Sequence, residues 1–401
     1  MKKENVYGSL GILPKEEMIE AKQNFQKLTI GLPKETSFQE NRISLSPDSV
    51  SLLTHNGHKI IIENNAGEGA NFSDKEYSDA GAEIVFSKEE VYESDVIVKI
   101  EPPTKQELKL LKKGQQLISA IQLQTRDKDY FNELIKKDIT SVAIEHIMDK
   151  EGKLPILRSM GEIAGNTSIL IASEYLSNVN SGKGLMLGGI AGLSPTDVVI
   201  IGSGTVGEYA CRTALGLGCN VKVFDSSLSR LRRLHHHTQR NVSTSLIQPK
   251  SLRKALKRAD VVIGALRSGD GRTPCVVSET MVKDMKEGSV IVDVSIDHGG
   301  CFETSEVTTH KKPIFNKHGI VHYCVPNIAS RVARTSSFAI CNVISQILLK
   351  MGEEGGIKNF MKKDEGIRNG VYTFKGMMTN KTLSKMFDFP YKDLDLVITA
   401  I

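Results

Sequence analysis

Short apolar runs rich in β-branched residues alternate along the chain with longer stretches whose apolar residues recur at helical spacing. LTIGL (28–32), HKIIIEN (58–64), DVIVKI (95–100), QLISAI (116–121) and SVAIEH (141–146) read as strands. Between them, PDSVSLLTHNG (47–57) reads as a helix closed by Asn56-Gly57. YSDAGAEIVF (77–86) reads as a helix end running into a strand, and KQELKLLKKG (105–114) as a helix ending at Gly114. A Gly-rich connector, KGLMLGGIAGLSP (183–195), leads into a second series: DVVIIG, NVKVFD, ADVVIGAL, GSVIVDVS and GIVHYCV. Strand-then-helix rhythm predicts an α/β chain with two doubly wound, parallel sheets, helices covering both faces of each. Glu162 to Tyr175 and TSSFAICNVISQILLKMG (335–352) read as long helices linking the two series. The expected organisation is therefore an N-terminal extension over 1–27, polar and partly helical. A discontinuous domain follows over 28–158 and 335–401, with a second domain inserted over 159–334. No fixed-period repeat and no low-complexity segment is visible.

Composition narrows the class. The chain has 401 residues and 40% hydrophobic residues, ample for two or three cores. Its 52 Lys+Arg against 47 Asp+Glu leave a net charge of +5, too mild to point to nucleic acid or a membrane surface. The apolar runs fall short of the roughly 20 residues that span a bilayer. The basic start MKKENVYG is followed by no apolar segment of a secretory signal, so a cytoplasmic protein is expected. Six cysteines (Cys211, Cys219, Cys275, Cys301, Cys324, Cys341) form no CxxC and read as buried, reduced thiols.

The sharpest chemical signal is VVIIGSGTVGEYACRTALGLGCNVKVFD (198–225). Its core, Gly202-Ser203-Gly204-Thr205-Val206-Gly207, follows a β-branched strand and opens a helix, and a second strand ends at Asp225. That strand–loop–helix–strand context marks a Rossmann-type dinucleotide loop. Gly202 permits the turn, Gly204 lets a pyrophosphate approach the backbone, and Gly207 lets helix and strand lie close. The helix start offers free N–H groups and a partial positive charge. Asp225 is placed to accept the ribose hydroxyls and to repel a 2′-phosphate, which favours NAD over NADP. A ligand-free turn, or a mononucleotide or S-adenosyl ligand, remains the alternative on these residues alone.

Ligands of open α/β sheets sit at the carboxyl ends of strands. Those ends carry Ala265-Leu266, Asp297 and Asn327. Asp297 suits a charge facing a nicotinamide or a substrate amine, or is simply a turn aspartate. Arg42, in the loop after the first strand, suits a bidentate grip on a carboxylate or a surface ion pair. His235-His236-His237 lack metal-site spacing and read as a solvated helix end; no metal site is expected.

Six ordered blocks carry a resemblance: GLPKETSFQENRISLSP (31–47), NAGEGANFSDKEYSDAGAEIV (65–85), LMLGGIAGLSPTDVVIIGSGTVG (185–207), RADVVIGAL (258–266), GSVIVDVSIDHGGCFETS (288–305) and HYCVPNIASRVARTSSFAICN (322–342). Together they resemble the alanine dehydrogenase and pyridine-nucleotide transhydrogenase alpha-subunit family, with alanine dehydrogenase the nearer. The resemblance implies two Rossmann-like domains separated by a cleft, the first binding substrate and the inserted one binding NAD. It implies a homohexamer interconverting L-alanine with pyruvate and ammonia. Arg42 then takes the position of the substrate-carboxylate arginine, Asp297 that of a catalytic-centre aspartate, and Asp225 that of the ribose aspartate. Two positions depart from the pattern. Glu101 stands where the family has a substrate-contacting Lys, with Lys99 two residues earlier on the same strand face. Gln122 stands where it has a proton-exchanging His. A transhydrogenase component passing hydride between nicotinamides, a non-catalytic NAD sensor and a dehydrogenase for a bulkier amino acid are the alternatives.

Overall fold

The computed structural model describes residues 25–122, 126–238, 242–267 and 271–399. The expected extension over 1–27 lies outside them except for its last three residues. The chain divides into two compact units: the described residues through Ser159 with those from Val332 onward, and Met160–Arg331.

The strands of the first unit begin with β1 (Thr29–Leu32), β2 (Lys59–Glu63), β3 (Glu83–Val85), β4 (Val96–Val98), β5 (Gln116–Ser119) and β6 (Thr140–Ala143). The second unit holds β7 (Asp197–Ile201), β8 (Asn220–Asp225), β9 (Ser243–Leu246), β10 (Val261–Gly264), β11 (Val290–Asp293), β12 (Ile314–Lys317) and β13 (Ile320–Tyr323). The chain then returns to the first unit as β14 (Val371–Phe374) and β15 (Met377–Met378). The first sheet runs β15-β14-β6-β5-β4-β1-β2-β3 and the second β12-β13-β11-β10-β7-β8-β9. Central strands such as β4, β6, β10 and β11 are buried along their whole length, as parallel strands covered on both faces must be.

Neither sheet is wholly parallel. β14 runs antiparallel to β6, β15 to β14, and β12 to β13. Two of these pairs turn on two residues at positive φ, His318-Gly319 and Lys375-Gly376, the backbone a tight hairpin needs. The helix expected over 105–114 is shorter. Lys105–Leu110 opens with a Thr104–Glu107 capping box and closes at Leu111 in extended conformation, leaving Gly114 in a turn at φ +81°. The helix expected from Glu162 begins earlier, as Pro155–Leu176, with proline at its first position where no N–H is needed.

The helical stretch Ile328–Glu353, whose main part is the helix Ala333–Glu353, is long and apolar enough by length and composition to cross a membrane. It is a core helix instead: Ile340, Ile344 and Leu348 are buried, and it packs on the helix Pro47–His55 of the same unit. Of the six free cysteines, five are buried; Cys275 is exposed, contrary to the expectation of buried thiols throughout.

Candidate active site

In the first unit, β4 lies between β1 and β5 and pairs parallel with both. The β4–β5 ladder runs past the strand ends, with the Lys99 amide donating to the Ile118 carbonyl (2.9 Å) and the Ala120 amide to the Ile100 carbonyl (3.0 Å). Glu101 and Gln122 therefore follow on adjoining strand ends, and Arg42 lies in the loop after β1. Gln122 has φ +47°.

Arg42 is 9% exposed and Glu40 7%. Arg42 Nε donates to Glu40 Oε1 at 2.7 Å and Nη2 to Oε2 at 2.5 Å, a two-point pair. The Arg42 amide also donates to Glu40 Oε1, at 2.9 Å. Glu101 Oε1 lies 3.9 Å from the same Nη2. Burial alone lowers the affinity of Arg42 for its proton, but Glu40, Glu101 and Glu35 outweigh it and hold the guanidinium charged. Burial, with Glu40 adding to it against the pull of Arg42, pushes the Glu101 carboxyl up to about 7.

Lys99 is 2% exposed, and its Nζ lies 3.2 Å from Glu35 and 3.4 Å from Glu107. Lys88 approaches Glu107 as well, at 3.0 Å. Glu35 Oε1 in turn accepts from the Ile100 amide at 2.6 Å. Lys99 is thus engaged in internal ion pairs, and a substrate contact would have to break them. Glu35, Glu40 and Glu107 escaped sequence reasoning, because a carboxylate paired within the fold carries no motif.

In the second unit, the glycines of the loop divide by what surrounds them. A Cβ on Gly202 (φ +112°) would sit 2.3 Å from the Ala265 carbonyl oxygen, so Ala265 and Leu266 border the loop as expected. A Cβ on Gly207 would sit 1.9 Å from the Gly202 oxygen. A Cβ on Gly204 would meet nothing within 4 Å. Gly204 is also the N-cap of the helix Thr205–Gly216, which includes Val206, and no side chain caps that helix. Open space over an uncapped helix start is what a pyrophosphate requires, so these residues fit a dinucleotide.

Asp225 is fully buried. It accepts from the Ser203 amide (2.7 Å), the Ser203 hydroxyl (2.9 Å) and the Ser227 amide (2.7 Å), with Arg230 at 3.9 Å. A carboxylate has about four acceptor positions, so three are committed to bracing the glycine loop and about one is left for a ribose. The role expected from sequence, capture of both hydroxyls, meets this limit.

Asp297, exposed on the turn after β11, accepts from the Asn327 amide at 2.9 Å. The two residues picked from different strand ends therefore meet, with Asn327 at φ +54°. Asp293 was missed. It is buried, takes hydrogen bonds from the Ser295 and Cys301 amides and the Ser305 hydroxyl, and is pushed by burial up to about 6. It holds together the loop that presents Asp297. Gly165 was missed too: a Cβ there would lie 2.4 Å from the Val206 oxygen. The spacing Gly161-x-x-x-Gly165 on one helix face was the available signal. His237 contacts Glu208 at 3.1 Å from the helix Leu228–Thr238. Among the described residues no group of three His, Cys, Asp or Glu is placed to hold a metal ion.

Family models for the alanine dehydrogenase/PNT N-terminal and C-terminal domains match residues 31–164 and 168–381. "Alanine dehydrogenase 2" of Staphylococcus aureus strain USA300 is 37% identical over 369 residues, covering 92% of this chain and 99% of that protein. A solved L-alanine dehydrogenase superposes with a TM-score of 0.83 at 33% identity, over 90% of this chain and 99% of that one. A transhydrogenase from Sinorhizobium meliloti shares the fold, with a TM-score of 0.75 at 21% identity over 88% and 99% of the two chains. With both family models matched and relatives covered almost whole, the chain belongs to the alanine dehydrogenase/PNT family.

Proposed function

We propose that the protein is an NAD-dependent dehydrogenase interconverting an L-amino acid, L-alanine foremost, with its 2-oxo acid and ammonia. The observation that carries the reading is the open, uncapped helix start at Gly204, in a chain 37% identical to an alanine dehydrogenase. Thr205 and Val206 offer backbone N–H groups to the phosphates, and Asp225, gripping the Ser203 amide and hydroxyl, holds the loop in that shape. NAD, when bound, supplies the hydride acceptor. Arg42, whose guanidinium the surrounding carboxylates hold charged, attracts the substrate carboxylate. Asp297, next to Asn327, supplies negative charge near the reacting amine.

The test is a screen for NADH production across amino acids, with Arg42→Ala beside the wild type. L-Alanine is expected among the substrates. Arg42→Ala should raise KM about 10- to 100-fold, the worth of one charge-assisted contact, and leave NADH binding unchanged. NADH binding without oxidation of any amino acid overturns the reading in favour of a transhydrogenase component or a sensor.

A further inference from the structure

A small cavity of about 230 Å³ opens at the amino edge of the second sheet, the edge opposite the glycine loop. Its walls come from the starts of β7 and β8, the end of the helix Pro249–Leu256 and the turn that leads to β10. Three cations line it: Lys222, Lys254 and Arg258. Lys222 sits where the fold calls for an apolar side chain. Val221 and Val223 of β8 pack into the core on one face, Phe224 into the core on the other, and Lys222 faces the buried Val199 across the ladder. Its Nζ lies 5.3 Å from the centre of the Phe224 ring, a weak partner for an ammonium. None of the three cations makes an ion pair among the described residues. The other carboxylates of this edge are committed elsewhere. Asp260 takes Lys183 and Lys286 at 3.0 Å each, and Asp284 takes Arg253 at 2.5 Å and Lys257 at 3.5 Å. Asp197 alone brings a carboxylate to the cavity wall, and it accepts from the Asn220 side chain. The helix dipole accounts for Lys254, in the last turn of its helix, but not for Lys222 on a strand or for Arg258 beyond the helix end.

We propose that this cavity binds a small phosphoryl-bearing anion, at a site separate from the dinucleotide loop. Its volume is below the roughly 300 Å³ at which pockets for drug-sized ligands begin, so the occupant is small. Three cations less the Asp197 charge leave a surplus of two, which matches the roughly −1.5 to −2 of a phosphate monoester at neutral pH. A carboxylate would match half of it. The planar fork of Arg258 and the ammonium groups of Lys222 and Lys254 are the donors that phosphoryl oxygens pair with best. Ligands of open α/β sheets gather at the carboxyl ends of strands, so the coenzyme does not explain cations at the amino edge. β7 and β8 run from this cavity to Gly202 and Asp225, roughly 15 Å away at the rise of a strand. The proposal is independent of the deamination reading, since no step of it involves an amino acid or a hydride.

Calorimetric titration of inorganic phosphate into the full-length protein, alone and with saturating NADH, tests the site. A Kd of about 1 mM or tighter is expected, equal in both conditions. Arg258→Gln and Lys222→Met should each weaken phosphate at least about 10-fold, the worth of one charge-assisted contact. Both variants should melt no lower than a degree or two below wild type, because Arg258 is exposed and methionine suits the Lys222 position. Lys312→Gln, which removes an equal charge from an exposed position of the same unit, should leave the affinity unchanged. Acetate should bind at least about 10-fold more weakly than phosphate. Glycerol 3-phosphate binding more tightly than phosphate identifies an esterified phosphoryl group as the natural occupant, and equal affinities identify free phosphate. The proposal is overturned by no heat in the wild type or by phosphate binding that NADH abolishes. It is overturned equally by acetate binding as tightly as phosphate, or by Lys312→Gln weakening phosphate as much as Arg258→Gln does.

Discussion

A single methyl group discriminates between the jobs of the loop glycines. At Gly207 it would run into the Gly202 carbonyl at 1.9 Å, backbone against backbone, so Gly207→Ala should damage the fold of the second unit itself. At Gly204 there is nothing within 4 Å and φ is −73°, a value any residue adopts. Gly204→Ala should therefore melt within a degree or two of wild type without nucleotide, yet bind NADH at least about 10-fold more weakly, because the methyl occupies the phosphate's approach. Fluorescence titration of NADH beside a thermal melt reads both halves. Unchanged affinity would mean that the phosphates do not pass over this residue. The contrast also shows what sequence delivers at the scale of single residues. Gly202 and Gly207 were legible as turn and packing glycines because a tight strand-to-helix turn constrains backbone, and backbone constraint leaves glycines at fixed spacing. The Glu40 grip on Arg42 and the Ser203 grip on Asp225 were not, because which neighbour takes a side chain's hydrogen-bonding edge depends on packing.

At the scale of elements, the entry into β2 carries a pH-sensitive joint. His58 is 4% exposed, accepts from the Leu28 amide through Nδ1 (3.2 Å) and stacks on Phe25 at 5.4 Å. The ring also abuts Gly352, where a Cβ would lie 2.3 Å from its Cε1. It therefore joins the entries to β1 and β2 to the end of the helix Ala333–Glu353. Burial, helped by the charge of Lys27, lowers the imidazole to about 4. The folded state thus favours neutral His58, and its stabilisation is complete above the unfolded value near 6.5. It is lost as pH falls from there toward 4. Between pH 7 and pH 5 the wild type should lose about 2 kcal/mol more than His58→Asn in urea unfolding. Parallel curves for the two proteins would show that His58 does not titrate in this way. Elements of this kind were legible where hydrophobic period was strong, as in β1, β2 and β7. The antiparallel β12, β14 and β15 were not, because the reading followed a strand–helix rhythm and passed over the hairpin turns at His318-Gly319 and Lys375-Gly376. The helix over 105–114 was overextended because Gly114 looked like a cap, while the chain leaves helical geometry at Leu111.

At the scale of the whole molecule, the exposed apolar residues are unevenly placed. Leu170, Val179, Met186, Ile190 and Leu193 are each more than half exposed, and all lie within 24 residues of the second unit. Ile190 and Leu193 lie in the Gly-rich connector, which is irregular and so offers side chains without burying them in a helix or sheet of its own. Isolated exposed apolar residues need no explanation, but a run of them over one helix end and its connector is how a subunit contact looks on a single chain. A net charge of +5 on 401 residues repels a second copy only weakly. We propose another copy of this chain as the occupant, in keeping with the homohexamer that the family resemblance implies. Light scattering on the purified protein should give a multiple of the single-chain mass, six-fold if the resemblance holds in full. Ile190→Asp with Leu193→Asp should lower that mass, because burying a charge in an apolar contact costs far more than the contact returns. NADH affinity should stay within about two-fold, since neither residue borders the glycine loop. A wild-type protein that scatters as one chain would refute the contact outright. An assembly that survives both substitutions would move it to another face.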